Sequence, residues 1–456
     1  MSQPAKQSAA QVLDQQLPTV ESLRPALEVA LEAARAGGAT QCAAGLAVST
    51  ALSVNVRQGE VETVEFQNDR DLGLTVYIGQ RKGSASTADL SENAVREAVD
   101  AALAIARHSG EDPYAGLADA GRMATEFPDL DTDHPWVLDT DVAIDQAMRC
   151  EAAALADERI TNSDGASLDT RRAMSLKANS HGFFASRSGT QHSISCAVVA
   201  GKGEGMQRDY WYTAARRSQD LLAAEEVGKV AAQRTIARLN PRGLSTQQVP
   251  VLFPPELARG LIGSFISAIS GGALYRKASF LLDKAGESVF ADHINISQQP
   301  FITRGMGSAS FDAEGVATVE RELIRNGVLQ GYVLGSYSAR RLGLESTGNA
   351  GGVYNLCVEP GELSQPDIIR QMGTGLLVTE LMGQGANTVT GDYSRGGSGY
   401  WIENGEIAYP VQNITVAGNL KDMYRAIEAV GNDMDTRGNI RCGSVLVGRM
   451  TVAGQG

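Results

Sequence analysis

The side chains that most often bind zinc, histidine and cysteine, are few in this 456-residue chain. They are His108, His134, His181, His192, His293, Cys42, Cys150, Cys196, Cys357 and Cys442. A helix presents two histidine ligands on one face only when they stand about one turn apart, and no two of these histidines are that close. The cysteines form no C-x-x-C pair. Local spacing therefore predicts no zinc motif.

A metal-binding pair could still form across a β-hairpin. Ser188-Gly189 is predicted to be the two-residue turn between strands 181–186 and 190–199. That register sets His181 opposite Cys196. Two ligands are fewer than the three that a catalytic zinc usually takes from protein, so a core position for the cysteine is the competing interpretation.

Paired carboxylates are the next candidates, because two of them can divide general acid and base roles. Asp312 and Glu314 stand two residues apart, as do Asp433 and Asp435. Such pairs share a face only in an extended segment, and we interpret them as solvated strand edges. Serine chemistry is not indicated either, since the glycines around Ser398 lack the G-x-S-x-G spacing. Taken singly, the residues indicate no catalytic site.

Composition limits the class of protein. The chain has 43% hydrophobic and 20% charged residues and a formal net charge of −13, which is typical of a folded globular protein. The acidic balance argues against nucleic acid as the main partner. An odd number of scattered cysteines predicts a reducing compartment, and no apolar run is long enough to span a membrane. We therefore expect a cytoplasmic protein without direct membrane or nucleic-acid binding.

The elements that must position any site change in character along the chain. Apolar residues at helical spacing predict helices at 21–36, 142–157 and 221–239. Asp89-Leu90-Ser91 predicts the capped start of another amphipathic helix that reaches Ile105, and runs rich in Val, Thr and Leu predict strands at 46–56, 61–66 and 72–78. After the turn at 240–243, Asn326-Gly327 and Asn404-Gly405 each predict a type I′ hairpin between short apolar runs.

These patterns predict an α+β fold. An N-terminal helix-on-sheet α/β domain is followed by a Gly-rich, mostly antiparallel β C-terminal domain. The predicted bounds are a flexible N-terminus at 1–20, the N-terminal domain at 21–240 with a sub-boundary near 126–135, and the C-terminal domain at 245–456.

The C-terminal half resembles the PmbA (TldE) branch of the PmbA/TldD family. The resemblance rests on six ordered strings: YRKASFLLD at 275–283, FDAEGV at 311–316, SYSARRLGL at 336–344, LMGQG at 381–385, GDYSRG at 391–396 and VAGNLKDM at 416–423. It implies a cytoplasmic peptidase assembly that is known as a modulator of DNA gyrase. The family is linked to maturation of microcin-type peptides and to breakdown of the CcdA antitoxin.

The same resemblance implies two unequal subunits. A TldD-type subunit carries H-E-x-x-x-H on a helix plus a downstream cysteine, which together hold zinc. At the matching place this chain has Pro254, Pro255 and Arg259, and Asp433 falls near the cysteine. Neither proline nor a guanidinium can ligate zinc. The resemblance therefore implies that this chain has no catalytic, cofactor or metal residues and that zinc lies in the partner subunit.

A heterodimer with a TldD-type subunit that cleaves unfolded peptides is the resulting hypothesis. It leaves open a homodimer of the isolated chain. Tyr393, Arg395 and Arg276 are predicted to line the substrate channel, because the first two are flanked by glycines that permit close approach of a peptide. Two alternatives remain: a non-enzymatic regulator acting on DNA gyrase or a toxin–antitoxin pair, and a self-sufficient hydrolase with an unrecognised site.

Overall fold

The computed structural model describes residues 12–13 and 15–454. The helices of these residues are α1 (Val20–Ala36), α2 (Glu92–His108), α3 (Thr140–Leu155), α4 (Ala224–Ala237), α5 (Pro255–Ala268), α6 (Gly271–Tyr275), α7 (Ser336–Leu342), α8 (Gln365–Met372) and α9 (Leu420–Arg425). The strands up to residue 253 are β1 (Val12–Leu13), β2 (Gln41–Arg57), β3 (Glu60–Ile78), β4 (Arg81–Thr87), β5 (Leu138–Asp139), β6 (Ile160–Asn179), β7 (Phe184–Ala200), β8 (Gln207–Ala215) and β9 (Gln247–Phe253). The later strands are β10 (Ile296–Gln298), β11 (Arg321–Arg325), β12 (Val328–Leu329), β13 (Leu356–Val358), β14 (Gly375–Met382), β15 (Asp392–Glu403), β16 (Glu406–Asn419), β17 (Ile427–Val430), β18 (Ile440–Arg441) and β19 (Val445–Gly454).

One antiparallel sheet of six strands dominates the N-terminal half, in the order β4-β3-β2-β6-β7-β8. Strand β2 pairs with β6 from Ala43 to Val56. Because β2 precedes the segment 126–135 and β6 follows it, one sheet contains strands from both sides of that segment. Two strands predicted at 61–66 and 72–78 are one strand, β3, because its partner β2 runs without interruption beside it.

The helices of this half cover one face of the sheet. Alternate β2 residues from Cys42 to Val56 are buried, as the period of two of a strand requires. At one end they belong to a core cluster with residues of α1 and α2, and at the other end to a cluster with residues of α3 and α4. The opposite face of the sheet carries small and polar side chains, and it lines two clefts together with residues of the C-terminal half.

Side-chain caps explain where the first two helices begin. Thr19 Oγ1 accepts the Ser22 N–H at the start of α1, and Ser91 Oγ accepts the Ala94 N–H at the start of α2. The helix predicted at 21–36 is confirmed. The one predicted at 221–239 is shorter, because the backbone is still extended at Leu221 and Ala223 and the helix begins only at Ala224.

The predicted hairpin at Ser188-Gly189 is wrong, because both residues lie inside β7. The chain turns instead after Asn179, whose Oδ1 accepts the N–H groups of His181 and Phe183. Gly182, with a φ of +88°, allows this turn. His181 therefore lies in the turn and not opposite Cys196, which pairs with Ala166 and Trp211.

The described part of the N-terminal segment is held in place. Strand β1 pairs with β5, and Gln15, which is buried, donates from Nε2 to Thr170 Oγ1. The flexible segment predicted at 1–20 stays a prediction: residues 12–13 and 15–20 are described, and its remainder lies outside the described residues.

A second six-stranded sheet forms the centre of the C-terminal half, in the order β16-β15-β14-β9-β19-β17. Pairing of β16 with β19 closes five of these strands on themselves. Inside the core, the rings of Phe290 and Tyr424 stack at 4.5 Å and Phe265 of α5 meets Phe290 edge-on at 5.0 Å. Helix α5 is thereby fixed against the sheet.

A smaller sheet, β12-β11-β10-β13-β18, completes this half. Both predicted Asn-Gly turns are confirmed. Asn326 and Gly327 have φ values of +49° and +75°, and Asn404 and Gly405 have +53° and +78°, as a type I′ turn requires. The predicted α+β class with mostly antiparallel sheets is also confirmed.

None of the helices in the described residues is both long and apolar enough to cross a membrane.

The contact between α3 and α4 makes a first prediction. A Cβ on Gly228 would lie 1.9 Å from the Cys150 carbonyl oxygen, so Gly228→Ala forces the two helices apart. We expect a loss of about 2 kcal/mol in the free energy of unfolding, measured in urea. The matched control is Gly260→Ala in α5, where a Cβ meets nothing within 4 Å and helix propensity adds up to about 1 kcal/mol. Equal effects of the two substitutions would contradict the close contact.

Candidate functional site

A cleft of about 650 Å³ lies where the N-terminal sheet meets the first turn of α5. Strand β8 forms one wall, and the segment from Asp433 to Arg437 forms another. The residues that line the cleft include Trp211, Pro254, Glu256, Asp433, Asp435 and Arg437.

Two prolines fix the start of α5 at this cleft. Pro254 is the N-cap residue and is extended, with φ −64° and ψ 163°, and Pro255 occupies the first helical turn. Proline suits this place because the first N–H groups of a helix have no intrahelical partner. Glu256 follows in the first turn, where the helix dipole favours a negative charge.

The Glu256 carboxylate is paired with an arginine of the N-terminal half. Arg234 Nη1 of α4 donates to Glu256 Oε1 at 2.9 Å, and its Nε lies 3.5 Å from Asp209 Oδ2. Arg238 reaches the same Asp209 oxygen at 3.7 Å and also pairs with Glu380. Because Asp209 is only 5% exposed, these cations neutralise a carboxylate that water cannot solvate.

Asp435 is the centre of a second ion network. Arg437 approaches it in bidentate fashion, with Nε to Oδ1 at 2.9 Å and Nη2 to Oδ2 at 3.0 Å. Arg259 Nη1 of α5 lies 3.6 Å from Asp435 Oδ2. Burial alone would raise the pKa of this carboxyl, but the hydrogen bonds from Arg437 and the two positive charges lower it below its usual value.

Trp211 joins the two networks. Its indole ring lies between two guanidinium groups, with the Cζ of Arg234 at 4.9 Å and that of Arg437 at 4.6 Å from the ring. Arg437 also stacks on Tyr212 at 4.2 Å and donates to the Tyr212 carbonyl at 2.9 Å. These cation–π contacts bind the C-terminal segment to strand β8.

Asp433 closes the loop that precedes β19. Its Oδ1 accepts the Ser444 N–H at 2.9 Å and its Oδ2 accepts the Ser444 hydroxyl at 2.7 Å. The two ends of the loop approach so closely that a Cβ on Gly443 would lie 2.1 Å from the Gly431 carbonyl oxygen. Both carboxylate oxygens of Asp433 are therefore occupied by loop contacts.

The residues at this cleft do not fit a zinc ion. Pro254 and Pro255 offer no ligating atom, Arg259 is a cation, and Asp433 is held by Ser444. Helix α5 contains no histidine anywhere along its length. Nowhere in residues 12–13 and 15–454 do three His, Cys, Asp or Glu side chains lie close enough to share a metal ion.

Nearby histidine and cysteine side chains are structural. His192 is fully buried, and its ring nitrogens contact Thr170 Oγ1 at 2.6 Å and the His134 carbonyl at 3.0 Å. Burial lowers its pKa. Cys442 is also fully buried, and burial followed by the charges of Asp433 and Asp435 raises its pKa. A thiol held in its neutral form is a poor nucleophile.

The three predicted channel residues lie in different surroundings. Tyr393 is 3% exposed and packs within the C-terminal core, and its role in a channel stays a prediction. Arg395 Nη2 donates to the Gly383 carbonyl at 2.6 Å. Arg276 is exposed, with its guanidinium 5.2 Å from the Tyr275 ring. For the two arginines a role in a channel stays a prediction.

Two of the carboxylates interpreted as solvated strand edges are buried instead. Asp435 is 6% exposed, and Asp312 is fully buried and accepts the N–H groups of Glu314, Val316 and Ala350. Sequence reasoning also missed Trp211, Arg234 and Asp209 of the N-terminal half. The one local signal was an arginine two residues after Asp435.

Three family models match most of the chain. They describe domain 1, the central domain and the C-terminal domain of PmbA/TldA metallopeptidases, at residues 43–106, 133–239 and 246–454. Metalloprotease PmbA of Escherichia coli O157:H7 is 49% identical over 434 residues, which cover 95% of this chain and 96% of that protein. A PmbA homologue of Haemophilus influenzae is 48% identical over 455 residues, with 99% of both chains covered.

Solved structures have the same fold. A putative modulator of DNA gyrase from Bacteroides thetaiotaomicron superposes with a TM-score of 0.92 at 28% identity, over 96% of this chain and 100% of that chain. TldE from Thermococcus kodakarensis gives a TM-score of 0.82 over 94% of this chain and 100% of that chain, and at 21% identity it supports the fold alone.

The Asp435 network predicts a stability change with a defined pH dependence. Asp435→Asn leaves two arginines without their anion, and we expect a loss of about 3 kcal/mol in the free energy of unfolding at pH 7. The folded-state pKa of Asp435 lies below the ordinary 3.8. Its contribution to stability is therefore fully present above pH 3.8, declines as the pH falls below 3.8, and is lost once the pH falls through the folded-state pKa. Urea titrations at several pH values measure the difference between the two proteins.

The control is Asp145→Asn, which breaks an exposed ion pair with Arg149. It should change the free energy of unfolding by no more than about 0.5 kcal/mol. If Asp435→Asn costs no more than this control, the network does not hold the cleft together.

Proposed function

Because the chain belongs to the PmbA/TldD family of metallopeptidases, we propose that it is the metal-free subunit of a two-subunit zinc peptidase. Its partner is a TldD-type subunit that carries the zinc, and its substrate is an unfolded peptide. The observation that carries the proposal is the donor set at α5, where prolines and an ion-paired arginine stand in place of ligands.

The electrostatics of the cleft support this division of labour. A zinc peptidase uses the metal to polarise water and a glutamate to accept its proton. Here the glutamate of the same helix, Glu256, is committed to Arg234, and Asp435 is committed to Arg437. Carboxylates neutralised in this way are poor general bases, so the hydrolytic step is assigned to the partner.

The thiols support a cytoplasmic location for this subunit. All five cysteines are free in the structure, and Cys42, Cys150, Cys196 and Cys442 are buried. Proteins that work in an oxidising compartment usually pair such residues in disulfides. We therefore place the assembly in the cytoplasm.

Reconstitution tests the proposal. The full chain is purified alone and mixed with a TldD-type subunit, and cleavage of an unfolded peptide is followed by mass spectrometry. We expect cleavage only with both subunits present, and none when the glutamate of the partner's H-E-x-x-x-H is replaced by glutamine. Each subunit alone serves as the control.

Two results would overturn the proposal. Cleavage by this chain alone, unaffected by the partner, would identify a self-sufficient hydrolase. Failure of the two subunits to associate in a pull-down would favour a regulatory protein, a role consistent with the gyrase-modulator names of its solved relatives.

A further inference from the structure

A second cleft, of about 870 Å³, lies between the open face of the N-terminal sheet and the C-terminal half. Strands β6 and β7 form its floor, and residues 306–310 with Val353 and Tyr354 lie across from them. Three arginines line it: Arg171, Arg187 and Arg216. We call it the basic cleft.

Strand register aligns the basic groups on one face. Arg171, Ser175 and Lys177 occupy alternate positions of β6, so their side chains point the same way, and Arg187 of β7 pairs directly with Ser175. Arg187 Nε lies 3.3 Å from Ser175 Oγ. Lys177 lines an adjoining cavity of about 450 Å³ that shares Ala47 and Ser175 with the basic cleft.

These arginines lack anionic partners. Within the described residues no carboxylate lies within 4 Å of Arg171, Arg187 or Arg216. Arg216 donates to the carbonyl oxygens of Thr190 at 2.9 Å and Met306 at 2.7 Å, and its buried Nε has no hydrogen-bond partner. Burial, reinforced by the charge of Arg187, lowers the pKa of Arg216, which is the mark of a cation without compensation.

The carboxylates on the cleft wall do not supply the missing charge. Asp133 is in a bidentate pair with Arg172, and Asp131 pairs with Arg304 and His134. Asp129 accepts the Asp131 N–H, and no arginine or lysine lies within 4 Å of it in the described part of the chain. The three arginines therefore face one unpaired carboxylate, Asp129, which leaves this cleft with an excess of positive charge in a chain of net charge −13.

The spacing of the basic groups matches an extended peptide. Arg171 and Lys177 stand six positions apart on one strand, a span of about 20 Å at 3.3 Å per residue. An extended peptide has the same repeat and presents alternate side chains to one side. Guanidinium groups bind carboxylates in paired, charge-assisted hydrogen bonds.

We propose that the basic cleft binds extended peptide segments that carry Asp or Glu at alternating positions. This inference rests on the proposed function, because it names the class of peptide that the assembly receives. The cleft selects the substrate through this chain, whereas the hydrolysis belongs to the partner.

Fluorescence anisotropy with the full chain alone tests the proposal. The probe is a labelled peptide of about nine residues with both termini blocked and glutamate at alternating positions, and its matched form has glutamine there. At low ionic strength we expect the glutamate peptide to bind at least about tenfold more tightly, and added salt to weaken it. The double variant Arg171→Gln/Arg187→Gln should lose this preference.

The control variant is Arg35→Gln, an exposed arginine of α1 on the helix-covered side of the sheet. It removes one charge and should retain the preference. Thermal melts of all variants establish that they are folded. Equal binding of the two peptides, or an unchanged preference in the double variant, would overturn the proposal.

A single-stranded oligonucleotide of equal charge is included as a competitor. Competition as strong as that of the glutamate peptide would also overturn the assignment to peptides. The partner subunit is absent from the binding assay, so the result of the binding assay does not depend on the result of the reconstitution experiment. Binding of the glutamate peptide without cleavage in the reconstituted assembly would contradict only the proposed function. Cleavage without a preference for the glutamate peptide would contradict only the proposal that the basic cleft binds acidic peptides.

Discussion

The burial of Asp435 is the constraint on which the rest of the α5 cleft depends. A carboxylate that is 6% exposed must be neutralised, and Arg437 and Arg259 do this from its own loop and from α5. Arg437 in turn lies against Trp211 of the N-terminal sheet, and Arg234 lies against the same ring while holding Glu256. One chain of charges therefore connects sheet, helix and loop.

This network explains how a metallopeptidase fold can stay ordered around a helix without zinc ligands. In a zinc site, the metal cross-links a helix to a distant loop. Here the Asp435–Arg259 contact links α5 to the loop that carries Asp433, and hydrogen bonds from Ser444 close that loop. Glu256 and Asp435 are neutralised by Arg234 and Arg437, respectively.

Local patterns predicted what local interactions decide. The Ser91 cap of α2 and the two Asn-Gly turns depend on residues a few positions apart, so they were visible in the sequence. The prediction of a hairpin at Ser188-Gly189 was wrong, because Gly189 lies within a strand and allows the close approach of Thr132 and Arg216 from elsewhere in the chain. Asp435 was misjudged for the same reason. Its surroundings include Trp211, more than two hundred residues earlier, which no local spacing reveals.

We propose that arginine–carboxylate ion pairs stand at the start of α5 where a zinc site would otherwise require ligands. The full chain is expressed with added zinc and dialysed, and its zinc content is then measured by inductively coupled plasma mass spectrometry. We expect less than about a tenth of an equivalent of zinc per chain, since metal sites require a set of converging donors. A full equivalent that survives dialysis would contradict this proposal.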